Sequence, residues 1–484
     1  MSNSLQQKTF SGLLWTFAEN FSLQGFGFIQ GVILARLLMP SDYGLIAMVG
    51  IFFAVSGCFI DSGFTTALIQ KKNRTAIDYS TVYVTNVCLS FLFAVLLCLC
   101  SSAIAHFYKE PILQKIVCIN ALSLFLGSFL AVQGTRLTIN LDFKTKSIIH
   151  VTSTVITGVA TIILALLGYG VWSLIYPTFI ALPIKALLYW HYQHWFPGFA
   201  FSFQSCKEFF SFGSKLLISG LLDTLYHNIY PIIIGKKFSA TDLGYYTRAN
   251  GYASLPSTTV TGMLSRVTFP VLCEIQDDEN RLEQVYRRLL RLSAYIVFPC
   301  MVGLAALTKP LIITLITEKW ANSIVYLQIL CFALMWYPIH AINLNLLQVK
   351  GRSDLFLRLE VIKKIIGVCI LCISIPLGLI YMCIGQIFSS IICLTVNTYY
   401  TGKLINVGFL MQMRDLLPTL FYSFSMGIIV WICTQFISSL YLQIIVGILV
   451  GVTYYITISW INKSSELDYI ILLLKQNVFN KNAQ

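Results

Sequence analysis

ILARLLMPSDYG at residues 33–44 and IIGKKFSATDLG at residues 233–244 read as two copies of one segment, 200 positions apart. Ile33, Asp42 and Gly44 recur as Ile233, Asp242 and Gly244, while Arg36 is answered by Lys236 and Ser41 by Thr241. In both copies an apolar block ends, a tight turn follows and a second apolar block begins. A match over a dozen residues is modest alone, but its placement at the same kind of junction makes the chain a tandem of two related halves.

The blocks flanking these turns are about 20 residues long, the length a helix needs to cross about 30 Å of hydrocarbon. Of 484 residues, 57% are hydrophobic and 11% charged, with a mean hydropathy of +0.76; soluble domains carry about 25% charged residues. The chain is therefore an all-α, polytopic membrane protein, without the ten-residue alternation of a membrane barrel. Fourteen spans are read near 12–35, 43–66, 80–105, 113–135, 147–167, 171–190, 209–234, 244–268, 291–314, 322–347, 361–379, 381–402, 417–437 and 440–460. They exclude a large extramembrane catalytic domain. Spans one and two match spans seven and eight, so the halves share one orientation and are related by an axis along the membrane normal, as in transporters built from parallel repeats. The expected division is a first six-helix lobe at 1–207, a second at 208–403, and spans 13 and 14 with a cytoplasmic amphipathic tail at 404–484.

The net charge of +13 would suggest nucleic acid in a soluble protein, but here basic residues belong to cytoplasmic loops. With the N-terminus inside, 25 of the 33 Lys and Arg fall in cytoplasmic segments and flanks, seven fall outside, and Arg248 lies within a span. Both termini are thus expected in the cytoplasm. The first ten residues, largely polar with one cation at Lys8, do not read as a cleaved signal. Most of the 14 cysteines lie within apolar blocks and read as packing residues; the CxxC pair Cys369 and Cys372 offers no second ligand pair for a metal. Two stretches read as helices lying on the inner membrane surface. One carries Leu282, Val285, Tyr286, Leu289 and Leu290, with Arg287, Arg288 and Arg291 meeting head groups. The other is the tail, with a capping box at Ser465 and Asp468 and an apolar face of Ile470, Ile471, Leu474 and Val478.

Polar side chains inside spans are costly in hydrocarbon and face a bundle interior or a watery cavity. Thr16, Glu19, Asn20 and Gln24 form one face of span one; Ser219, Asp223 and His227 form the corresponding face of span seven at the offset of 200. Span eight adds a hydroxyl stripe at Ser254, Ser257, Thr258 and Thr261 between Arg248 and Arg266, and span two adds Asp61, Ser62 and Thr65. Glu19, Asn20, Gln24, Asp61, Asp223, His227, Arg248 and Arg266 are the candidate residues for substrate binding or coupling. The lone His150 and His340 read as hydrogen-bonded structural residues. No zinc-protease, nucleophile-elbow or phosphate-loop motif occurs, so the chain does not read as an enzyme.

ILARLLMPSDYG at 33–44, GCFIDSGFTTALIQKK at 57–72, QGTRLTINLDFKTKS at 133–147, GYGVWSLI at 168–175, DLGYYTRANGY at 242–252 and SRVTFPVLCEIQDD at 265–278 together resemble Wzx-type flippases, the polysaccharide-transport branch of the MOP exporter superfamily, and within it the colanic-acid-exporter-like, lipopolysaccharide biosynthesis group. The resemblance covers the first 280 residues; beyond about residue 360 it is only a hydrophobic pattern. It implies two six-helix lobes forming a V plus two C-terminal helices. It also implies export of an undecaprenyl-diphosphate-linked oligosaccharide, for O-antigen, capsule or exopolysaccharide, across a bacterial inner membrane. The expected partners are the lipid-linked oligosaccharide, the bilayer and a glycan polymerase of the same pathway; no organic cofactor is expected, and the coupling ion is a proton or Na⁺. Peptidoglycan-precursor flippases carry cavity arginines on their first two spans, where this chain has Glu19 and Asp61 instead.

Two other readings carry different expectations. A multidrug or cation antiporter of the same superfamily would hold an organic cation on Glu19 and Asp223, but such relatives usually stop at twelve spans. A membrane glycan polymerase or glycosyltransferase would need a sizeable outer loop, and the outer loops here, around 36–42, 106–112, 235–243 and 315–321, are short.

Overall fold

The structure is a computed structural model that describes residues 3–61 and 63–472, with side chains described for residues 12, 14–61, 63–266 and 268–472. The chain divides into two units, residues 1–244 and 245–484. The first contains α1 (Asn3–Leu37), α2 (Pro40–Asp61), α3 (Phe64–Gln70), α4 (Ala76–Tyr108), α5 (Ile112–Ser128), α6 (Ala131–Ile139), α7 (Phe143–Leu166), α8 (Pro177–Gln193) and α9 (Phe203–Lys237). Helix α10 (Ala240–Glu274) runs from the first into the second, which continues as α11 (Glu279–Ala306), α12 (Thr308–Ile316), α13 (Ser323–Leu334), α14 (Tyr337–Val349), α15 (Ser353–Ser374), α16 (Leu379–Ile405), α17 (Phe409–Gln435) and α18 (Leu440–Ile461).

Helix starts follow side-chain chemistry. Thr75 and Asp78 form a capping box on α4, Asp142 accepts from the Thr145 N–H at 3.1 Å to start α7, and Asp278 accepts from the Arg281 N–H at 3.0 Å to start α11. Among the described residues nine helical stretches are long and apolar enough to cross a membrane, and α5 with α6, bent by 40°, makes a tenth if the pair is one span. Helices α1, α9 and α10, at 35 residues each, and α15, at 22, have spanning length but more polar surface. The first three are the helices on which the polar stripes were read. A polar helix persists at membrane depth only where protein or water covers its polar face.

The two repeat junctions meet each other. A Cβ on Gly44 would sit 1.7 Å from the Ala240 carbonyl oxygen, and one on Gly244 would sit 1.9 Å from that of Pro40. At an offset of 200, position 40 corresponds to 240 and 44 to 244, so the contact is reciprocal. Reciprocity is what a two-fold relation between repeats demands.

Residues 279–290 are not a separate surface helix. No glycine or proline interrupts the chain between Asp278 and Pro299, so the helix begun at Asp278 continues as α11, and Leu282, Tyr286 and Leu290 are buried where α11 packs on α14 and α17. Arg287 and Arg291 accordingly serve protein carboxylates. Arg287 donates two hydrogen bonds to Asp415 on α17, at 2.7 and 2.8 Å, and Arg291 lies 3.0 Å from Glu466. Asp415 is 6% exposed. Breaking such a buried pair costs about 3–5 kcal/mol. Because both arginines retain solvent contact, Asp415→Ala is expected to cost about 2 kcal/mol, read as a lower melting temperature of the purified protein; an unchanged melting temperature would make the cluster energetically neutral.

The tail cap is also shifted by one residue. Ser464 accepts from the Leu467 N–H and donates to Glu466, so the helix at 465–472 is capped by Ser464 rather than Ser465. Leu467 and Ile470 pack on Tyr295, Met426 and Tyr455. Leu474 and Val478, expected on the same face, lie outside the described residues, as does Ser62.

Candidate substrate and coupling site

In the first unit α1 packs along α7. The approach is close at two glycines: added Cβ atoms would lie 2.6 Å from the Phe143 ring at Gly12 and 2.3 Å from the Phe26 ring at Gly158. Between these contacts Glu19 reaches from α1 into α7. The Ser147 hydroxyl donates to Glu19 Oε2 at 2.6 Å, and His150 Nδ1 lies 3.0 Å from Oε1. Both carboxylate oxygens are thereby engaged, and the side chain is 14% exposed. A cavity of about 220 Å³ opens beside the pair, lined by Trp15, Glu19, Ser22, Ser147, Val151 and Thr152. Nearby, the Lys144 ammonium lies 5.7 Å from the Trp15 ring centre and Lys146 donates to Thr138 at 3.0 Å.

The polar stripe of span one therefore splits. Thr16 and Asn20 satisfy themselves on carbonyls of their own helix, at Gly12 and Thr16, both at 2.8 Å. Glu19 turns to α7. Asn20, Gln24, Asp61, Asp223, His227 and Arg266 are exposed side chains on α1, α2, α9 and α10. On α9 the face toward α2 is held by Thr224, 3.1 Å from Cys58 Sγ, one position from Asp223. The α10 hydroxyls mostly back-bond, Thr258 to Ser254 and Thr261 to Ser257, while Ser257 crosses to the Leu334 carbonyl at 2.8 Å.

Arg248 is half-buried against aromatic rings, its guanidinium 5.4 Å from the Tyr252 centroid and 5.5 Å from that of Trp320. Such stacking orients a guanidinium while leaving its edge able to donate. Arg248 and Arg266 stand 18 positions apart on α10, about 27 Å of helical rise. One diphosphate cannot bridge them.

Sequence reasoning passed over Ser147 and read His150 as a hydrogen-bonded structural residue without its partner, Glu19. The signal was present: Ser147, His150 and Thr154 recur at helical spacing within an apolar block. His340 in the second unit is structural, with Ser390 3.0 Å from Nε2 and Asn397 3.1 Å from Nδ1. That unit also holds an apolar cavity of about 450 Å³ among α10, α11, α12, α17 and α18, lined by Pro256, Leu307, Met426, Val430, Gly451 and Tyr455.

A multi-span helical fold with a charged pair between two of its helices defines a polytopic membrane protein with a polar site among its helices. Residues 33–325, over half the chain, match the model for the polysaccharide biosynthesis protein family, and the chain belongs to that family. It is similar to the lipopolysaccharide biosynthesis protein WzxC of Escherichia coli (strain K12), at 25% identity over 451 residues, 88% of this chain and 89% of the relative. Among solved structures, the lipid II flippase MurJ in an inward closed conformation shares the fold at a TM-score of 0.76 and 16% identity, covering 93% of this chain and 98% of that one. An inward-facing multidrug resistance MATE family transporter of the MOP superfamily matches at 0.60 and 16% identity, covering 79% and 96%.

Proposed function

We propose that the protein is a flippase that carries an undecaprenyl-diphosphate-linked oligosaccharide from the inner to the outer leaflet of the bacterial cytoplasmic membrane by alternating access, with both termini in the cytoplasm. One observation carries the reading: a charged, hydroxyl-lined cavity opens beside α1 and α7 of an otherwise apolar membrane fold. A lipid-linked sugar needs such surroundings, because its diphosphate and sugars cannot enter hydrocarbon while its prenyl chain can. Membership in a polysaccharide biosynthesis family supports the same substrate class. Glu19 is the proposed coupling carboxylate for a proton or Na⁺. Asn20, Gln24, Asp61, Asp223 and His227 are proposed to meet sugar hydroxyls, Arg248 and Arg266 to act separately on anionic groups, and a polymerase to receive the product.

The antiporter reading asks Glu19 to hold an organic cation in place of a coupling ion, so the two readings part on the substrate that is moved. The test is reconstitution. Purified protein in proteoliposomes should make a lipid-linked oligosaccharide placed on one leaflet accessible to a glycosidase on the other, well above protein-free vesicles. Transport of a cationic dye with no oligosaccharide translocation would overturn the proposal in favour of the antiporter.

A further inference from the structure

We infer that residues 190–203, the connection from α8 to α9, form a membrane anchor that lies in the head-group layer of the anionic cytoplasmic leaflet. The segment reads WHYQHWFPGFAFSF, and its centre, residues 194–202, is neither helix nor strand. One side of it is pinned to the start of α4. Trp195 packs against Tyr79 with ring centres 6.4 Å apart, Gly198 passes so close to Ser80 that an added Cβ would lie 3.0 Å from the hydroxyl, and the Ser202 N–H donates to the Thr81 hydroxyl at 3.1 Å. Arg136 stacks 4.4 Å from the Trp195 centroid. Between these points of attachment the remaining rings turn away from the protein. Phe196, Phe199 and Phe203 are 72%, 86% and 76% exposed, and Trp190, Tyr192 and Phe201 are exposed beside them. The Trp190 and Phe196 ring centres lie 6.5 Å apart, so the patch continues across the end of α8.

Two requirements decide what covers this patch. Clustered aromatic side chains in water are a liability that a free surface rarely carries. The hydrocarbon core is closed to them as well, because the backbone that bears them is irregular. Among the described residues, no hydrogen bond within the protein satisfies a backbone N–H or carbonyl from Phe196 to Phe201, and such groups need water or a partner. The head-group layer offers apolar contact to the rings and water to the peptide groups at one depth, which is why aromatic residues gather there. Charge then selects the lipid. No Asp or Glu occurs between Asp142 and Glu208, and Glu208 is engaged by Lys71 at 3.0 Å. The chain neighbours of that pair, Lys72 and Lys207, are exposed, and the segment itself adds the exposed His191 and His194. A basic rim around an aromatic patch suits an anionic surface, and the topology proposed above puts this connection on the cytoplasmic side.

Nothing here depends on what the protein transports. Full-length protein carrying an environment-sensitive fluorescent amino acid in place of the exposed Phe199 is reconstituted in nanodiscs of phosphatidylcholine, with or without phosphatidylglycerol. In the mixed discs, lipids bearing a nitroxide near the head group should quench the probe at least threefold more strongly than lipids bearing it near the chain end. Acrylamide in the buffer should quench it less than half as well as it quenches the free amino acid. Omitting phosphatidylglycerol, or combining Lys72→Gln with Lys207→Gln, should lower the shallow quenching at least twofold, while Lys72→Arg with Lys207→Arg should keep it; the Lys71 and Glu208 pair stays intact in all of them. Full acrylamide quenching with none from either lipid would put the patch in water, overturn the anchor and leave the surface to a protein partner. Strongest quenching by the chain-end nitroxide would overturn it in the other direction, by placing the segment in hydrocarbon. Shallow quenching indifferent both to phosphatidylglycerol and to the Gln substitutions would overturn the assignment to an anionic leaflet.

Discussion

A single methyl group at position 44 or 244 is expected to abolish polysaccharide export. In Gly44→Ala the new carbon would stand 1.7 Å from the Ala240 carbonyl oxygen, and in Gly244→Ala 1.9 Å from that of Pro40. Ordinary contact begins well beyond 3 Å. The obstructing atoms are backbone in the first turns of α10 and α2, so no side chain can rotate away and the helix ends must part by more than an ångström. Overpacking of this kind costs about 1–3 kcal/mol per site, enough to displace a protein from the observed conformation. Gly50 on α2 and Gly251 on α10 have nothing within 4 Å of an added Cβ and provide the controls. In a strain lacking the native gene, Gly44→Ala and Gly244→Ala should restore under a tenth of wild-type surface polysaccharide, while Gly50→Ala and Gly251→Ala restore it in full. Full export by Gly44→Ala, with an unchanged melting temperature, would show that the junction contact is not required.

Neutralising Glu19 should uncouple transport from its driving gradient. A carboxylate that accepts from Ser147 and pairs with His150 can exchange a cation only by giving up one of those partners, which a change in the exposed side of the site would bring about. Glu19→Gln keeps the shape and one acceptor oxygen but not the charge. In proteoliposomes under an imposed pH or Na⁺ gradient, it should lose at least tenfold in gradient-driven rate while slow equilibration of the substrate persists. His150→Gln should show the same loss, and the double variant should be no worse than either single, because residues acting as one unit are not additive. Asp223→Asn reports on the corresponding face of the second repeat. If Glu19→Gln, His150→Gln and the double variant all keep wild-type gradient dependence, the pair is a structural tie between α1 and α7.

The candidate site was partly legible. Glu19 stood out because a carboxylate in an apolar block is costly, and that argument needs only local composition. His150 stood in an equally apolar block, but an imidazole is ambiguous: His340 is a core histidine held by Ser390 and Asn397, and nothing near either residue in the chain distinguishes them. The arginines after Asp278 followed the pattern of a membrane-surface helix, and only their carboxylate partners, Asp415 and Glu466, show that they tie protein helices together.

Membrane residence, helical class and the 200-residue repeat were all set by features that act over one helix or one turn: apolar block length, cap residues, and glycine at the junction. Such signals are local, because hydrocarbon imposes the same requirement on every crossing segment. Partner choice is not local. Glu19 finds Ser147 and His150 across 128 and 131 positions, Arg287 finds Asp415 across 128, and Gly44 meets Ala240 on the far side of seven intervening helices. Many helix faces in this chain could have met; close packing selected among them, and with it which charges are paired.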